Sequence, residues 1–352
     1  MCGIVGIIAD KYLVNRSLLE RLAASMAHRG PDDEGIEILS IGSDSRFSLG
    51  LVHRRLSIID LTRDGLQPMS NADGSVWITF NGEIYKYKEL RTEIKMTGCQ
   101  FRAQSDAEVI LHAFEQWGID CIHRFRGMFA IALWDRGKNR LFMAVDRFGI
   151  KLLYYCDGGR CPFLFASEVR SILNSSLVEK CMEPIAVESF LAYGVVQKPF
   201  TTIHRVCSLL PAHYLVYETQ GQRKQIVNYW RPSDQLSKGT RISDETEAIR
   251  GVREVVEESI RKHLVSDVPV GLFLNGGIDS SSVVAIANRM NRGTLQSFSV
   301  PFAESLFSEE KYSQLIAEKY RENHTEIKIS ERDLLNLLPG ALDQPTVDDV
   351  NA

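Results

Sequence analysis

Residues 1–8 of the chain read Met-Cys-Gly-Ile-Val-Gly-Ile-Ile. A methionine that precedes a small residue is normally trimmed, and trimming would leave Cys2 with both a thiol and a free α-amine. Because an α-amine titrates near about 7.7–8.0, part of it is neutral at cellular pH and accepts the proton of the thiol. One residue then supplies both nucleophile and base. Taken alone, a cysteine at position 2 is more often incidental, so the rest of the sequence decides.

The first 200 residues predict short strands, hairpins and a few helices. Apolar runs of strand length, bounded by Gly, Asp or Asn, are GIVGII (3–8), VWITF (76–80), MFAIALW (128–134) and RLFMAV (140–145). Residues 135–139 form a hairpin loop between the last two runs. One amphipathic helix covers residues 18–26, and another follows a capping box at Ser105 and Glu108. Strands packed face to face with helices outside predict an α+β layered fold.

The last 110 residues follow a different pattern. A helix over 244–264, with Ile249, Val252, Val256 and Ile260 on its inner face, precedes the strand VPVGLFL (268–274). Helices then alternate with the strands LQSFSV (295–300) and HTEIKI (324–329), which predicts a parallel sheet. The predicted organisation is a first domain over 1–205, a connecting segment over 206–242, and a second domain over 243–352.

Composition excludes several classes of function. The 352 residues contain 41 Lys and Arg against 45 Asp and Glu, and the net charge of −4 argues against nucleic acid or an anionic membrane as a main partner. No apolar stretch approaches the roughly 20 residues that span a bilayer, and the N-terminus has no basic leader. The seven cysteines lack CxxC spacing, which predicts reduced thiols in the cytoplasm.

A set of motifs in the first 200 residues points to a known family. They are MCGIVGI (1–7), MAHRGPDDEG (26–35), HRRLSIIDL (53–61), FNGEIY (80–85), SDAEVI (105–110), RFRGMFAIALWD (124–135) and DRFGIK (146–151). In order and spacing they resemble the class II glutamine amidotransferase domain, and specifically the asparagine synthetase branch. The resemblance implies the αββα sandwich of an N-terminal nucleophile hydrolase.

The resemblance also implies roles for individual residues. Cys2 would attack the side-chain amide of glutamine and form a γ-glutamyl thioester, and Asn81 and Gly82 would form the oxyanion hole. The remaining implied roles are Arg55 for the α-carboxylate of glutamine, Glu83 and Asp106 for its α-ammonium, and the backbone of Leu56, Ser57, Ile58 and Ile59 for the pocket wall. From the residues alone, other readings stay open: Asp106 could serve only the helix dipole, Asn81 and Gly82 only a turn, and Arg55 only the surface.

The segment VPVGLFLNGGIDSSSVVAIA (268–287) places a glycine-rich turn between a strand and a helix, an arrangement that cradles anions. It does not fit a Walker loop, but it is similar to the SGGxDS pyrophosphate loop of ATP pyrophosphatases. Asparagine synthetases use that loop to activate a carboxylate as an acyl-adenylate. By this resemblance Asn275, Gly276, Gly277, Ser280 and Ser281 would contact the phosphates of ATP, Asp279 would help to hold Mg²⁺, and Leu274 and Val300 would flank adenine. A ligand-free strand-to-helix turn is the open alternative.

The sequence departs from the family at several positions. Asn275 replaces the first serine of the phosphate loop, Lys86 follows FNGEIY in place of asparagine, and Leu152 replaces the proline after DRxGIK. The family also continues beyond the end of this sequence, through an acid-rich loop and a lysine. The resemblance therefore predicts an incomplete ATP-binding half in which strand 268–274 is an exposed edge.

The resemblance predicts an asparagine-synthetase-type amidotransferase. It would hydrolyse glutamine at Cys2 and pass ammonia to a carboxylate activated by ATP, with aspartate as the default acceptor and a homodimer as the expected assembly. Two alternatives remain open: a glutaminase with a vestigial ATP half, and a non-catalytic homologue.

Overall fold

The computed structural model describes residues 1–42, 46–156, 162–236, 239, 242–290, 295–303, 309–320 and 323–342. The chain separates into two compact units, one within residues 1–238 and the other within residues 239–344. The described ranges contain no helix with the length and apolar character needed to cross a membrane.

The first unit combines twelve strands with short helices. Its strands are β1 (Gly3–Asp10), β2 (Asp33–Ile41), β3 (Phe47–Arg55), β4 (Met69–Ser70), β5 (Val76–Ile84), β6 (Gly127–Asp135), β7 (Arg140–Val145), β8 (Tyr154–Cys156), β9 (Phe163–Ala166), β10 (Val206–Ser208), β11 (His213–Glu218) and β12 (Arg223–Asn228). Its helices are α1 (Arg16–Ala24), α2 (Tyr87–Lys95), α3 (Asp106–Trp117), α4 (Val169–Asn174), α5 (Pro184–Tyr193) and α6 (Pro232–Leu236).

These strands form two antiparallel sheets that pack face to face. The first sheet has the order β10-β8-β9-β1-β3-β2 and the second β12-β11-β7-β6-β5-β4. An apolar core lies between the sheets, and a second core lies between the first sheet and helices α1 and α4. On the other side, α3 packs on β5 of the second sheet. The αββα layering predicted from the sequence is confirmed.

The continuous apolar run in β1 is explained by burial of both faces. Ile4 and Ile8 contribute to the core between the sheets, whereas Val5 and Ile7 contribute to the core beneath α1 and α4. Successive side chains of a strand point to opposite faces, so a strand covered on both sides needs apolar residues at every position. Because β1 pairs with both β3 and β9, Cys2 directly precedes a central strand of the sheet.

Three strands lie in the segment that the sequence predicts to be a connection, 206–242. β10 pairs with β8, β11 pairs with β7, and β12 pairs with β11 at the edge of the second sheet. The sequence of β12, RKQIVN, has no apolar alternation because its first four residues are exposed. Short and edge strands of this kind leave little hydrophobic signal.

The second unit alternates strands and helices. Its elements are α7 (Glu245–His263), β13 (Gly271–Phe273), α8 (Ile278–Met290), β14 (Gln296–Ser299), α9 (Glu310–Tyr320), β15 (Asn323–Glu326) and α10 (Glu331–Leu342). The strands are parallel and have the order β13-β14-β15. The predicted parallel sheet is therefore confirmed, and β13 lies at its edge.

The prediction of a buried face along α7 is wrong for most of the helix. Ile249 and Val252 are 57% and 64% exposed, and Val256 is also exposed, whereas Ile260 is buried. Ile260 packs with Ala287 of α8 and Leu295. An apolar stripe identifies the face that a neighbour would cover, but among the described residues of this unit only the last turns of α7 have such a neighbour.

Candidate active site

Cys2 lies half-buried at the entrance to β1. The backbone N–H of Leu56 donates to its Sγ at 3.4 Å. Burial raises the pKa of the Cys2 thiol above its ordinary value, while the Leu56 N–H and the positive chain terminus act in the opposite direction. A thiol in this environment needs a nearby base to become a thiolate at neutral pH.

A cavity of about 70 Å³ opens beside Cys2 and collects most of the residues predicted from the sequence. Those that line it are Cys2, Arg55, Leu56, Ile58, Ile59, Asn81, Gly82, Glu83 and Asp106. Ser57 does not line it, because its N–H turns toward the Asp32 carboxylate at 2.7 Å. Met1 also lines the cavity, so removal of Met1 would change the wall nearest the thiol.

Asn81 and Gly82 occupy adjacent positions on β5, opposite Ala130 and Phe129 of β6. The side-chain nitrogen of Asn81 is buried and has no hydrogen-bond partner within the described ranges. A buried donor without an acceptor lowers the stability of the folded state, so its presence calls for a functional explanation. At Gly82 an added Cβ would lie 2.1 Å from the carbonyl oxygen of Met128, so only glycine allows this strand to approach so closely.

Arg55 ends β3 and is 5% exposed, which rules out the reading of a simple surface charge. Its guanidinium donates to the carbonyl oxygen of Thr62 at 3.0 Å and to that of Asp60, and lies 3.6 Å from the Asp33 carboxylate. Asp60 in turn accepts from the backbone N–H groups of Thr62 and Gln104. The loop after β3 therefore fixes the orientation of the planar guanidinium at the cavity wall.

Asp106 is the first residue of α3 and is buried. Its Oδ2 accepts from the N–H of Ile84 at 3.0 Å. Burial, with a smaller contribution from the negative charge of Glu83, raises the pKa of Asp106 to about 7. The helix start is fixed by Ser105, whose Oγ accepts from the N–H of Glu108 at 3.4 Å.

Several cavity residues were missed from the sequence: His53, Gly65, Gln67, Phe80, Ser105, Ala107, Met128 and Lys151. His53 precedes Arg55 by two positions on β3, so strand alternation alone would have placed both side chains on one face. Burial lowers the pKa of His53 to about 4, so the ring is neutral at cellular pH, and its Nε2 donates to the carbonyl oxygen of Phe80 at 3.1 Å. Lys151 ends the DRFGIK motif, which by itself does not indicate that the lysine is buried.

In the second unit, a cavity of about 290 Å³ lies at the carboxyl end of the parallel sheet. Of the predicted nucleotide residues, Leu274, Asn275 and Val300 line it. Gly276, Gly277, Asp279, Ser280 and Ser281 do not line it; they form the turn and the start of α8. Asn275 lines the cavity and directly precedes the turn.

The side chain of Asn275 accepts hydrogen bonds from two donors of the turn. Its Oδ1 accepts from the N–H of Gly277 at 3.0 Å and also from the hydroxyl of Ser280. These are donors that a bound phosphate would require. The Asn275 side chain would therefore compete with a phosphate for these two donors.

Asp279 is the only predicted metal ligand, and it is exposed. Across the described ranges no group of three or more His, Cys, Asp or Glu side chains is arranged to hold a metal ion. Mg²⁺ is commonly bound by one or two carboxylates together with phosphate oxygens, so Asp279 fits Mg²⁺ only when a nucleotide is also bound.

Comparison with known proteins gives concordant matches. The family model described as a glutamine amidotransferase domain matches residues 1–230, and that described as asparagine synthase matches residues 251–352. The glutamine-hydrolysing asparagine synthetase 3 of Bacillus subtilis is 32% identical over an alignment of 378 positions, which covers 100% of this chain and 58% of the relative. A relative from Methanocaldococcus jannaschii that carries the same type of name is 32% identical over 96% of this chain and 67% of its own length.

An amidase of Penicillium rubens is 38% identical over 78% of this chain and 39% of its own length. The chain thus spans about half the length of many curated relatives that it matches. The amidotransferase model covers most of the chain, and the synthetases align along nearly all of it. The chain belongs to the glutamine-hydrolysing asparagine synthetase family.

Proposed function

We propose that the chain hydrolyses glutamine at Cys2 and supplies the ammonia for ATP-dependent amidation of a carboxylate. The observation that carries the glutaminase half is the buried Asn81 amide nitrogen, which has no acceptor among the described residues and lines the same cavity as the Cys2 thiol. An unoccupied donor beside a nucleophile suits an oxygen that becomes negative only during the reaction.

The chemistry follows from these positions. After removal of Met1, the neutral α-amine of Cys2 takes the thiol proton, and the thiolate attacks the side-chain carbonyl carbon of glutamine. The carbonyl electrons move to oxygen, where Asn81 Nδ2 and the N–H of Gly82 donate to the oxyanion. The amide nitrogen leaves as ammonia with the proton from the α-amine, and a γ-glutamyl thioester remains. Water then attacks the thioester, which releases glutamate and restores the thiol.

Recognition of glutamine would use the polar groups around the cavity. Arg55 would pair with the α-carboxylate, and Glu83 and Asp106 with the α-ammonium. Both acidic residues line the cavity with Arg55. Groups of opposite charge around one cavity suit a zwitterionic amino acid, and they are left unpaired when the substrate lacks either its carboxylate or its ammonium.

The second half would activate the acceptor. ATP with Mg²⁺ would bind at the turn of residues 275–281, with Leu274 and Val300 beside adenine and Asp279 beside the metal. Ammonia would then displace AMP from the acyl-adenylate, with aspartate as the acceptor by family default. We further propose that residues 1–205 and 243–352 form the two functional domains. The matches of an amidotransferase model and an asparagine synthase model to successive parts of the chain support two such domains. We also propose that the enzyme is a cytoplasmic homodimer.

The glutaminase proposal is tested with purified chain whose loss of Met1 has been verified by intact mass. We expect glutamate release from glutamine, and loss of that release in Cys2→Ala. Cys99→Ala is the matched control, because Cys99 lies away from the cavity lining and should leave the activity unchanged. Equal turnover by the wild type and Cys2→Ala would overturn the proposal.

One observation favours a second candidate, a glutaminase whose ATP half is inactive. Asn275 itself satisfies the N–H of Gly277 and the hydroxyl of Ser280. Pyrophosphate release that requires glutamine, ATP and aspartate together would support the synthetase, whereas glutamate release without any such pyrophosphate would support the glutaminase alone.

A further inference from the structure

Lys151 is held by a turn that follows β7 and is organised around the buried side chain of Asp146. The side chain of Asp146 accepts from the backbone N–H groups of Phe129, Phe148, Ile150 and Lys151 at 3.0–3.1 Å. Four donors on one buried carboxylate fix the path of the turn. The physical role of the first residue of DRFGIK is thus to set the position from which the Lys151 side chain enters the cavity.

The Lys151 side chain is buried in the same cavity as Cys2 and Glu83. The residue is 7% exposed, yet within the described ranges its ammonium makes no hydrogen bond and no ion pair within 4.0 Å. Other lysines behave differently: Lys262 pairs with Glu258, and Lys328 pairs with Glu310. Because lysine side chains are seldom buried, a lysine at this position beside Cys2 points to a functional role for its charge.

Charged groups surround Lys151 from several elements. Burial and the charge of Arg29 lower the pKa of Lys151, whereas Glu83, Cys2 and Asp146 raise it. With Met1 in place, burial lowers the pKa of the Met1 α-amino group, and Lys151 and Arg29 lower it further, against Cys2 and Asp32. Arg55, His53 and Asp106 also line the cavity. Lys151 and Arg29 thus act on the α-amine of Met1, which precedes the amine that becomes free on Cys2 when Met1 is removed; Met1, Cys2 and Lys151 all line the cavity.

We infer that Lys151 is a positioning residue of the glutaminase site, whose buried positive charge keeps the terminal amine in its neutral, proton-accepting form and favours the Cys2 thiolate. The inference rests on the proposed glutaminase function and extends it. A second positive charge beside an ammonium is unfavourable, and a positive charge beside a thiolate is favourable. Both effects displace protons from Cys2 and make it competent at lower pH.

The test compares Lys151→Met with Lys151→Arg, which keeps the charge, and with Lys138→Met, a matched control whose side chain is 67% exposed. The first measurement is the rate at which iodoacetamide alkylates Cys2 as a function of pH, without glutamine. Mass spectrometry of the N-terminal peptide isolates Cys2 from other cysteines. The second is kcat as a function of pH at saturating glutamine, where titration of Asp106 no longer limits binding.

For Lys151→Met we expect the alkylation curve and the acid limb of kcat to move to higher pH, with alkylation at pH 7 reduced on the order of 3- to 10-fold. Lys151→Arg and Lys138→Met should keep the wild-type midpoints. Thermal unfolding shows whether each variant is folded, and Lys151→Gln replaces Lys151→Met if the latter is not.

Unchanged midpoints in folded, charge-free variants would overturn the inference, and so would a rise in KM alone, which would assign Lys151 to glutamine binding. A displaced alkylation curve in a protein that never releases glutamate would leave the inference standing and would refute the proposed function instead.

Discussion

We expect the Asn81 side chain to be required for catalysis but not for the stability of the fold. Asn81→Ala removes a buried donor that lacks an acceptor in the described structure, so we expect kcat for glutamine hydrolysis to fall about 10²- to 10³-fold with a melting temperature no lower than that of the wild type. Asn15→Ala is the matched control. The Asn15 side chain accepts from the N–H of Leu18 at the start of α1. Its loss should cost about 1 kcal/mol of stability and leave kcat unchanged. Similar kcat values in both variants would exclude the oxyanion role.

If Asp106 binds the α-ammonium as proposed, glutamine binding should depend on pH. Its pKa is raised to about 7, and only the ionised carboxylate pairs with the α-ammonium of glutamine. As the pH falls from 8 to 6 the carboxyl becomes protonated, so KM should rise about tenfold. Asp106→Asn should raise KM throughout and remove most of this rise, whereas Asp64→Asn on the exposed surface should change neither. A wild-type KM that is constant over this range would contradict the assigned role.

At the scale of elements, we predict that the turn between β13 and α8 limits the binding of ATP phosphates. Asn275→Ser removes the carboxamide oxygen that accepts from Gly277 and Ser280. With those donors available, we expect the Kd for ATP in the presence of Mg²⁺ to fall about tenfold, which corresponds to about 1.4 kcal/mol. Titration calorimetry measures this change, and Asn323→Ser at the exposed start of β15 is the control. If Asn275→Ser binds ATP no more tightly than the wild type, the side chain does not compete with phosphate.

The elements that could be predicted from the sequence are those whose burial matches their hydrophobic period. The strand over 140–145 has the bounds that the sequence predicts, because the hairpin loop with Gly137 and Asn139 precedes a run in which residues 141–145 are buried. The capping box at Ser105 likewise located the start of α3. By contrast, β12 is an exposed edge strand without alternation, and the apolar stripe of α7 has no neighbour over its first turns within the described unit. The local sequence of an element does not show where a strand lies in its sheet or whether another element covers the apolar face of a helix.

In the candidate site, too, the sequence predicts some of the residues and not others. The family resemblance implied that Arg55, Asn81 and Asp106 belong to the site, and all three line the cavity, but it did not imply that Lys151 lines it too. A lysine in a sequence is most often a solvated charge, and only the turn built around Asp146 reveals that this one is buried.

At the scale of the whole molecule, the two units differ in how much apolar surface each one buries. The first unit holds extended clusters on both faces of β1. In the described part of the second unit the clusters have only three buried residues each: Ile260, Ala287 and Leu295, and Leu274, Val284 and Ala317. Phe273, at the edge of its sheet, is 83% exposed. Burial of apolar surface is the main stabilising contribution, so the first unit should resist local opening more strongly than the second.

Hydrogen–deuterium exchange at pH 7 checks this expectation. Amides of β1, β3 and β6 pair on both sides within their sheets and should exchange slowest, whereas β13, an edge strand of three residues, and β15 should exchange faster by orders of magnitude. Leu19→Ala, in the core under α1, should accelerate exchange in the first unit, because deletion of a fully buried leucine side chain costs about 2–5 kcal/mol. Leu13→Ala, on a side chain that is 45% exposed, should change exchange far less. Equal protection of β1 and β14 in the wild type would show that the extent of the buried core does not set local stability here, and that some other interaction holds the parallel sheet.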